Sequence, residues 1–194
     1  AGAWFEASGL GVPALAVTWQ VSRDGGATWA TAVGTVTTTP AGLGEVDSRI
    51  DVVAADADHG DLYRARFANT VLGSQAEEAF SAAAVLTVEA APVVTTDPVS
   101  VTVLAGDDAV FTAAATGRPA PTVRWLRCDG ATCAPIPGAT GTTLTLPATL
   151  ADSGVTVRAE FTNSRGTVDS ASATLTVQLP AAVSADPADL TIVS

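Results

Sequence analysis

Three ordered blocks of sequence occur twice in this chain, and this internal repeat constrains its fold more than any other feature. The corresponding blocks are 4–19 with 110–125, 58–69 with 152–163, and 84–88 with 173–177. The offset between the copies changes only between blocks, where Gly, Pro and Thr cluster. The insertions therefore fall in loops, and the chain is expected to hold two domains of the same fold.

Each block alternates apolar and polar residues with a period of two. Val157, Ala159 and Phe161, for example, alternate with Arg158 and Glu160. This pattern predicts a strand with one face in a core and one in water, and no stretch keeps the 3.6-residue period of an amphipathic helix. About seven short strands per copy, separated by turn residues, predict an all-β chain of tandem antiparallel β-sandwiches.

Composition narrows the classes of partner. The 194 residues carry a net charge of −11, and all nine of the Lys and Arg residues are Arg. Nucleic acid and anionic lipid are poor partners, because the chain offers no cationic surface to displace their counterions. No apolar run approaches the ~20 residues of a membrane-spanning helix, so we expect no membrane insertion. Without an initiator Met or a signal-peptide pattern, the chain is expected to be an internal piece of a longer protein.

Gly106, Phe111, Gly117 and Trp125 are spaced as in strands B and C of I-set immunoglobulin domains, which this part of the chain resembles. The resemblance extends over nearly the whole chain. The chain is similar to the tandem immunoglobulin-like repeats of secreted or cell-surface bacterial proteins. That resemblance implies two or more immunoglobulin-like sandwiches in an extracellular or surface location.

The resemblance also assigns residues to the two cores. Trp19 and Trp125 would be the strand-C tryptophans, and Tyr63 is similar to the tyrosine of a tyrosine corner. The expected core aromatic residues are Trp19, Tyr63, Phe67, Phe111, Trp125 and Phe161. Small apolar residues stand where the family has its inter-sheet cysteines, which implies cores held by packing alone. These residues are Ala7, Ala65, Ala113 and Ala159.

The two cysteines lie elsewhere, just after strand C of the second copy. Cys128 and Cys133 flank a turn, and residues that face each other across a hairpin are within disulfide reach. We expect a Cys128–Cys133 disulfide and, from it, an oxidising location outside the cytoplasm. A redox or metal-binding role is the alternative, although there is no C-x-x-C motif and no further ligand set.

The ends of the chain are out of phase with its repeats. Residues 1–90 are expected to form an immunoglobulin-like domain that lacks its first strand, and residues 91–178 a complete one. Residues 179–194 would supply a linker and the first strand of a further repeat, because 180–192 matches 91–103.

Two explanations of this mismatch stay open. One is a window cut from a longer array of repeats. The other is donor-strand linkage, in which a strand over 182–193 completes the open sandwich of a neighbouring chain. Open sheet edges attract such strands, and a head-to-tail contact of this kind would propagate as an extracellular filament.

The sequence holds no recognisable catalytic set, so we expect no enzyme activity, no cofactor and no assigned metal ligand. His59 is the only histidine and lies in a predicted turn, so no Ser-His-Asp or Cys-His relay can be assembled. The acidic pairs 77–78 and 107–108 are expected in solvated turns. The acidic stretch 56–61 leaves calcium binding open, although it lacks the bidentate Glu of an EF-hand loop.

The favoured function is a structural stalk or spacer of a bacterial extracellular or surface protein, with neighbouring repeats of the same or an identical chain as partners. One alternative is a carbohydrate- or ligand-binding adhesin. Its ligand would stack on Trp4 or Trp29, or bind the long loops 30–48 and 70–80. If these tryptophans are structural instead, Trp29 packs on its hairpin and Trp4 in the strand-B core. The other alternative is a spacer attached to a secreted hydrolase, since fold alone does not decide function.

Overall fold

The computed structural model describes residues 2–69 and 77–182 and is built from strands, with two short 3₁₀ turns at Asp56–Asp58 and Leu150–Asp152. The predicted all-β architecture is confirmed. The chain divides into two compact units, Ala1–Glu89 and Ala90–Ser194, and each has its own hydrophobic core. No helix among the described residues has the length and apolar character needed to cross a bilayer.

Unit 1 is a sandwich of two antiparallel sheets. Its strands are β1 Gly2–Leu10, β2 Ala16–Ser22, β3 Ala30–Thr31, β4 Thr35–Pro40, β5 Glu45–Val53, β6 Leu62–Asn69, β7 Glu77–Phe80 and β8 Ala84–Val85. One sheet has the order β1-β5-β4. The other has the order β3-β2-β6-β7, with β8 also pairing with β6. The alternating residues of both sheets meet in one core around Trp19, Ile50 and Ala65.

Unit 2 is also a two-sided sandwich, with additional strands at its start and no described counterpart of β4. Its strands are β9 Ala90–Thr96, β10 Val101–Leu104, β11 Asp108–Thr112, β12 Ala114–Arg118, β13 Thr122–Asp129, β14 Thr132–Pro135, β15 Thr143–Pro147, β16 Thr156–Asn163, β17 Gly166–Asp169 and β18 Ala173–Gln178. One side pairs β11 with β15 and β12 with β9. The other side has the order β10-β18-β16-β13-β14, with β17 on β16. Strand β10 is parallel to β18.

The six aromatic residues that the resemblance assigns to the cores all lie there. Each is at most 6% exposed: Trp19, Tyr63, Phe67, Phe111, Trp125 and Phe161. The polar edge of each core tryptophan also has a partner, as a buried indole requires. Trp19 Nε1 donates to Ser48 Oγ at 3.1 Å, and Trp125 Nε1 donates to the Gly141 carbonyl at 2.9 Å.

The two units differ in how their cores are covered. In unit 2, Val94, Val101 and Val103 from β9 and β10 pack against the core, and Phe111 is 1% exposed. In unit 1, no strand among the described residues takes the place of β9 or β10, and the equivalent Phe5 is only half-buried. One edge of the unit 1 core is therefore uncovered within the described part of the chain.

Two regions differ from the sequence expectation or lie largely outside the described residues. The strand expected over 182–193 lies, apart from Ala182, outside the described residues, as does most of the loop 70–80. The region 30–48, expected to be a long loop, is mostly strand. It holds β3, β4 and the start of β5, and the β-branched Thr and Val residues of β4 pair with β5 along its whole length.

Candidate binding surfaces

The β13–β14 hairpin of unit 2 is closed by a disulfide. Cys128 and Cys133 are opposite each other in the antiparallel register, with Cα atoms 4.0 Å apart and their sulfurs bonded. The disulfide expected from the sequence is confirmed. The described part of the chain has no free cysteine, so neither thiol is available for redox or metal chemistry.

Replacing both cysteines by serine should destabilise unit 2 without unfolding it. The disulfide closes a very short loop, so its loss should cost less than the ~3 kcal/mol expected for a 15-residue loop. Serine fits the site, because Ser22 occupies the equivalent position in unit 1. Urea denaturation of the double variant measures the effect. Complete loss of the unit 2 transition would show that the disulfide is essential to the fold.

Hydrogen bonds take the place of the disulfide in the hairpin of unit 1. Ser22 Oγ donates to Asp24 Oδ1 at 2.7 Å and accepts from the Gly26 amide at 2.8 Å. The Thr28 amide and hydroxyl both donate to the Asp24 carboxylate. The Thr28 hydroxyl is the main reason that the pKa of Asp24 lies below its usual value. The hairpin is therefore held best when Asp24 is ionised.

Trp29 packs on this hairpin. Its Nε1 donates to the Gly26 carbonyl at 3.1 Å, and the Arg64 guanidinium lies 3.9 Å from its ring centroid. The same guanidinium lies 4.2 Å from the ring centroid of Phe80. Trp29 is half-buried. These contacts fit a role for Trp29 in packing the hairpin more closely than a role as an exposed ring on which a sugar stacks.

Two aspartates close the 3₁₀ turns of the two units. Asp58 Oδ2 accepts a hydrogen bond from the Ala55 amide at 2.8 Å. Asp152 Oδ2 accepts from the amide and hydroxyl of Thr149 at 2.8 and 2.6 Å, and Asp152 Oδ1 accepts from Arg127 at 2.7 Å. Hydrogen bonds from Thr149 and then Arg127 lower the pKa of Asp152 from 3.8 to about 2.

The stability of unit 2 should fall as the pH drops from about 4 towards 2. The pKa of Asp152 is lower in the folded state than in the unfolded state. The ionised carboxylate therefore stabilises the fold fully at a pH above the unfolded-state pKa, and this stabilisation is lost as the pH falls through the folded-state pKa. Asp152→Asn should lower the melting temperature at pH 7 and flatten its decline between pH 4 and 2. Melting temperatures measured over this range provide the test. An unchanged acid slope in the variant would contradict the assignment to Asp152.

The acidic stretch 56–61 does not gather its side chains around one point. Asp58 caps its turn, and buried Asp61 pairs with Arg23 at 3.3 Å. His59 Nδ1 accepts a hydrogen bond from the Val88 amide at 3.1 Å. Within 2–69 and 77–182, no group of three His, Cys, Asp or Glu side chains lies close enough together to hold a metal ion. The calcium alternative therefore has no donor cluster in the described structure.

The outward side of the β1-β5-β4 sheet forms a polar surface, called here the row face. Its residues are in register as three rows: Trp4–Asp51–Thr35, Glu6–Arg49–Thr37 and Ser8–Asp47–Thr39. The interpretation of Trp4 as a core residue is wrong, because the side chain is 54% exposed. The alternation of β1 places Phe5 on the inner side, so its neighbour Trp4 points outwards.

Solved structures and a sequence family support the fold of the chain. Residues 91–157 match a family described as Immunoglobulin domain. The structure of DIP-gamma IG1+IG2 has a TM-score of 0.55 and 18% identity, covering 91% of this chain and 89% of that one. The ectodomain of mouse nectin-like molecule 4 has a TM-score of 0.53 and 29% identity, covering 89% of this chain and 57% of that one.

A bacterial enzyme is similar to the chain in sequence. Endoglucanase C of Cellulomonas fimi is 42% identical to it over 182 residues, which is 93% of this chain. The match covers only 15% of the endoglucanase, so the chain spans a small part of that relative's length. Strand topology, the matched family and the solved structures together show that the fold of this chain is immunoglobulin-like.

Proposed function

We propose that this chain is a non-catalytic, immunoglobulin-like spacer of an extracellular bacterial enzyme that degrades polysaccharides. The observation that carries the proposal is the similarity to Endoglucanase C. It extends over 93% of this chain but only 15% of that protein. Such a segment has the size of accessory domains, and the rest of a protein like Endoglucanase C would hold the catalytic domain.

Properties of the chain itself support this role. Each unit buries its own core, so neither needs a catalytic domain in order to fold. The Cys128–Cys133 disulfide suits an oxidising compartment outside the cytoplasm. The net charge of −11 favours solubility and disfavours nucleic acid or anionic membranes as partners.

The test uses the full-length protein that contains this chain. One variant lacks residues 1–178, and another replaces them by a Gly/Ser linker of similar reach. We expect both variants to hydrolyse a soluble polysaccharide at the parent rate. The deletion should slow hydrolysis of an insoluble polysaccharide, and the linker should restore part of that rate. Loss of activity on the soluble substrate in both variants would contradict a non-catalytic role.

The two units are copies of one I-set-like repeat in this proposal, and shared contacts support it. In both units, the turn before β6 or β16 donates to a leucine carbonyl in the last strand or directly after it. An amide in the middle of β6 or β16 also donates to a serine hydroxyl. The pairs are Gly60 N–Leu86 O with Gly154 N–Leu175 O, and Ala65 N–Ser81 Oγ with Ala159 N–Ser170 Oγ. Each repeat would therefore be a self-contained building unit of a longer stalk.

The uncovered edge of unit 1 favours a second role, assembly by strand donation. In unit 2, Val101 of β10 lies opposite Leu175 in the parallel pairing with β18, and its side chain packs against the core. The repeat places Leu86 of unit 1 where unit 2 has Leu175. Among the described residues, no strand pairs with Leu86 as β10 pairs with Leu175.

The proposed donor is the stretch 182–193 of a neighbouring chain. Its sequence repeats that of β9 and β10, with Leu190 and Ile192 in place of Val101 and Val103. Donated in the register of β10, Leu190 would lie opposite Leu86 and cover the open side of the unit 1 core. Because each chain both gives and accepts a strand, the contact would propagate as a filament.

Light scattering over a range of protein concentrations tests strand donation. The average mass of the parent chain should rise with concentration, whereas Leu190→Asp should stay monomeric because it would bury a charge. Ala188→Asp is the matched control, since its counterpart Val99 is 76% exposed in unit 2. This control should assemble like the parent. A parent chain that stays monomeric at high concentration would contradict the filament.

A further inference from the structure

We propose that the row face of unit 1 binds a neutral polysaccharide chain, with Trp4 as the residue that stacks on a sugar ring. The proposal stands on the geometry of unit 1 and does not depend on the spacer role. The Trp4 indole lies on the outward side of β1 and is 54% exposed. The equivalent residue of unit 2 is Val110. The solvent side of this strand therefore has no structural need for an aromatic ring.

The indole is held in place by its neighbours on β5. The Arg49 guanidinium lies 4.8 Å from the Trp4 ring centroid. Arg49 Nε donates to both carboxylate oxygens of Asp51 at 3.0 and 3.1 Å, which anchors the guanidinium. A cation held against an aromatic ring restricts the movement of both groups. Trp4 therefore offers an ordered flat surface, and binding to it costs less conformational entropy.

Hydroxyl groups line the β4 edge of the row face, one in each of the three rows. Thr35, Thr37 and Thr39 are exposed at the β4 edge and recur about every 6.8 Å, the spacing of alternate residues in a strand. Two adjoining grooves, of about 390 and 590 Å³, run along the row face and share Arg49 and Asp51 in their linings. The surface is thus open and elongated, which suits a polymer chain better than a small enclosed ligand.

The chemistry of the row face selects the class of ligand. The row face has one positive charge, on Arg49, and three negative charges, on Glu6, Asp47 and Asp51. Because its net charge is negative, it repels acidic polymers. A protein partner would need an apolar interface core, whereas Trp4 is an isolated aromatic residue among hydroxyls and charges. A neutral polysaccharide matches both features, because it presents hydroxyl groups to donors and acceptors and apolar C–H faces to an indole.

Unit 2 provides an internal comparison. On its corresponding face, Val110 lies opposite Thr145, and Asp108 lies opposite Pro147. The sheet there pairs only β11 with β15, and no described strand takes the place of β4. Within the described structure this face has no aromatic residue and no third strand that carries hydroxyl groups, so the proposal assigns binding to unit 1.

Native gel electrophoresis of the whole chain tests the proposal, with hydroxyethylcellulose, glucomannan or the acidic polymer polygalacturonate in the gel. We expect retardation by at least one neutral polymer and none by polygalacturonate. Trp4→Val, which installs the residue of unit 2, should weaken the association about tenfold. Phe80→Ala is the matched control, because Phe80 is an exposed aromatic residue on the other sheet. Melting curves verify that both variants are folded.

The proposal is overturned if neither neutral polymer retards the chain, or if Trp4→Val binds as tightly as the parent. Loss of binding in Phe80→Ala as well would show that the effect is not specific to the row face and would also overturn it. Retardation by polygalacturonate alone would contradict the choice of a neutral ligand. The spacer role is measured separately by hydrolysis in the full-length protein, so failure of one proposal is distinguishable from failure of the other.

Discussion

Replacing Trp125 by alanine should unfold unit 2 and leave unit 1 folded. Trp125 is completely buried and belongs to the cluster that includes Phe111 and Phe161. Removing a buried Trp from a core costs about 3–5 kcal/mol. The Gly141 carbonyl would also lose the hydrogen bond from the indole, which adds to the cost. Small domains lie towards the lower end of the usual stability range of about 5–15 kcal/mol, and at that end the combined loss of packing and of this hydrogen bond leaves little or no stability.

Hydrogen–deuterium exchange read by mass spectrometry follows the two units separately in one sample. We expect fast exchange throughout 108–178 in Trp125→Ala and parent-like protection in unit 1. Trp4→Ala is the matched control, because the same substitution at an exposed site should leave both units protected. Loss of protection in unit 1 of Trp125→Ala would show that the units do not fold independently. Parent-like protection in unit 2 would show that Trp125 is not central to its core.

Period-two alternation is the reason that so much of the fold could be predicted from the sequence. It distinguishes inward from outward residues on every strand, and the repeat then assigns the same faces to both copies. The interpretation of Trp4 as a core residue was wrong, and the period-two alternation shows why. Phe5 aligns with Phe111, a core residue, and adjacent strand residues point to opposite faces. Trp4 therefore had to point outwards, and the alternation was a stronger guide than its hydrophobicity.

Other features depend on long-range pairing, which local sequence does not specify. The Thr-rich segment 35–40 lacks an apolar alternation, and it becomes a strand because β5 supplies backbone partners along its length. The row face arises only once the registers of β1, β5 and β4 bring Trp4, Arg49 and Thr37 to neighbouring positions. These residues are far apart in the sequence, and no short motif marks them as one surface.

The same substitution, Phe to Ala, should have unequal effects at equivalent positions of the two units. Phe111 is 1% exposed beneath the strands that begin unit 2, so Phe111→Ala should cost about 3–5 kcal/mol. Phe5 is half-buried and stacks on Tyr63 with ring centroids 4.6 Å apart. Because it buries less surface, Phe5→Ala should cost only about 1–2 kcal/mol. Denaturant titration monitored by hydrogen exchange measures the change in the free energy of unfolding of unit 1 for Phe5→Ala and of unit 2 for Phe111→Ala.

This comparison also tests whether another strand covers unit 1. At low concentration, equal costs for Phe5→Ala and Phe111→Ala would mean that the core of unit 1 is already complete. If 182–193 of a neighbouring chain covers Phe5, the cost of Phe5→Ala should rise towards that of Phe111→Ala as the protein concentration increases. Leu190→Asp should abolish the rise, because the altered strand no longer supplies an apolar residue opposite Leu86. A cost that is low and independent of concentration would instead favour a spacer whose uncovered edge takes no strand from another copy.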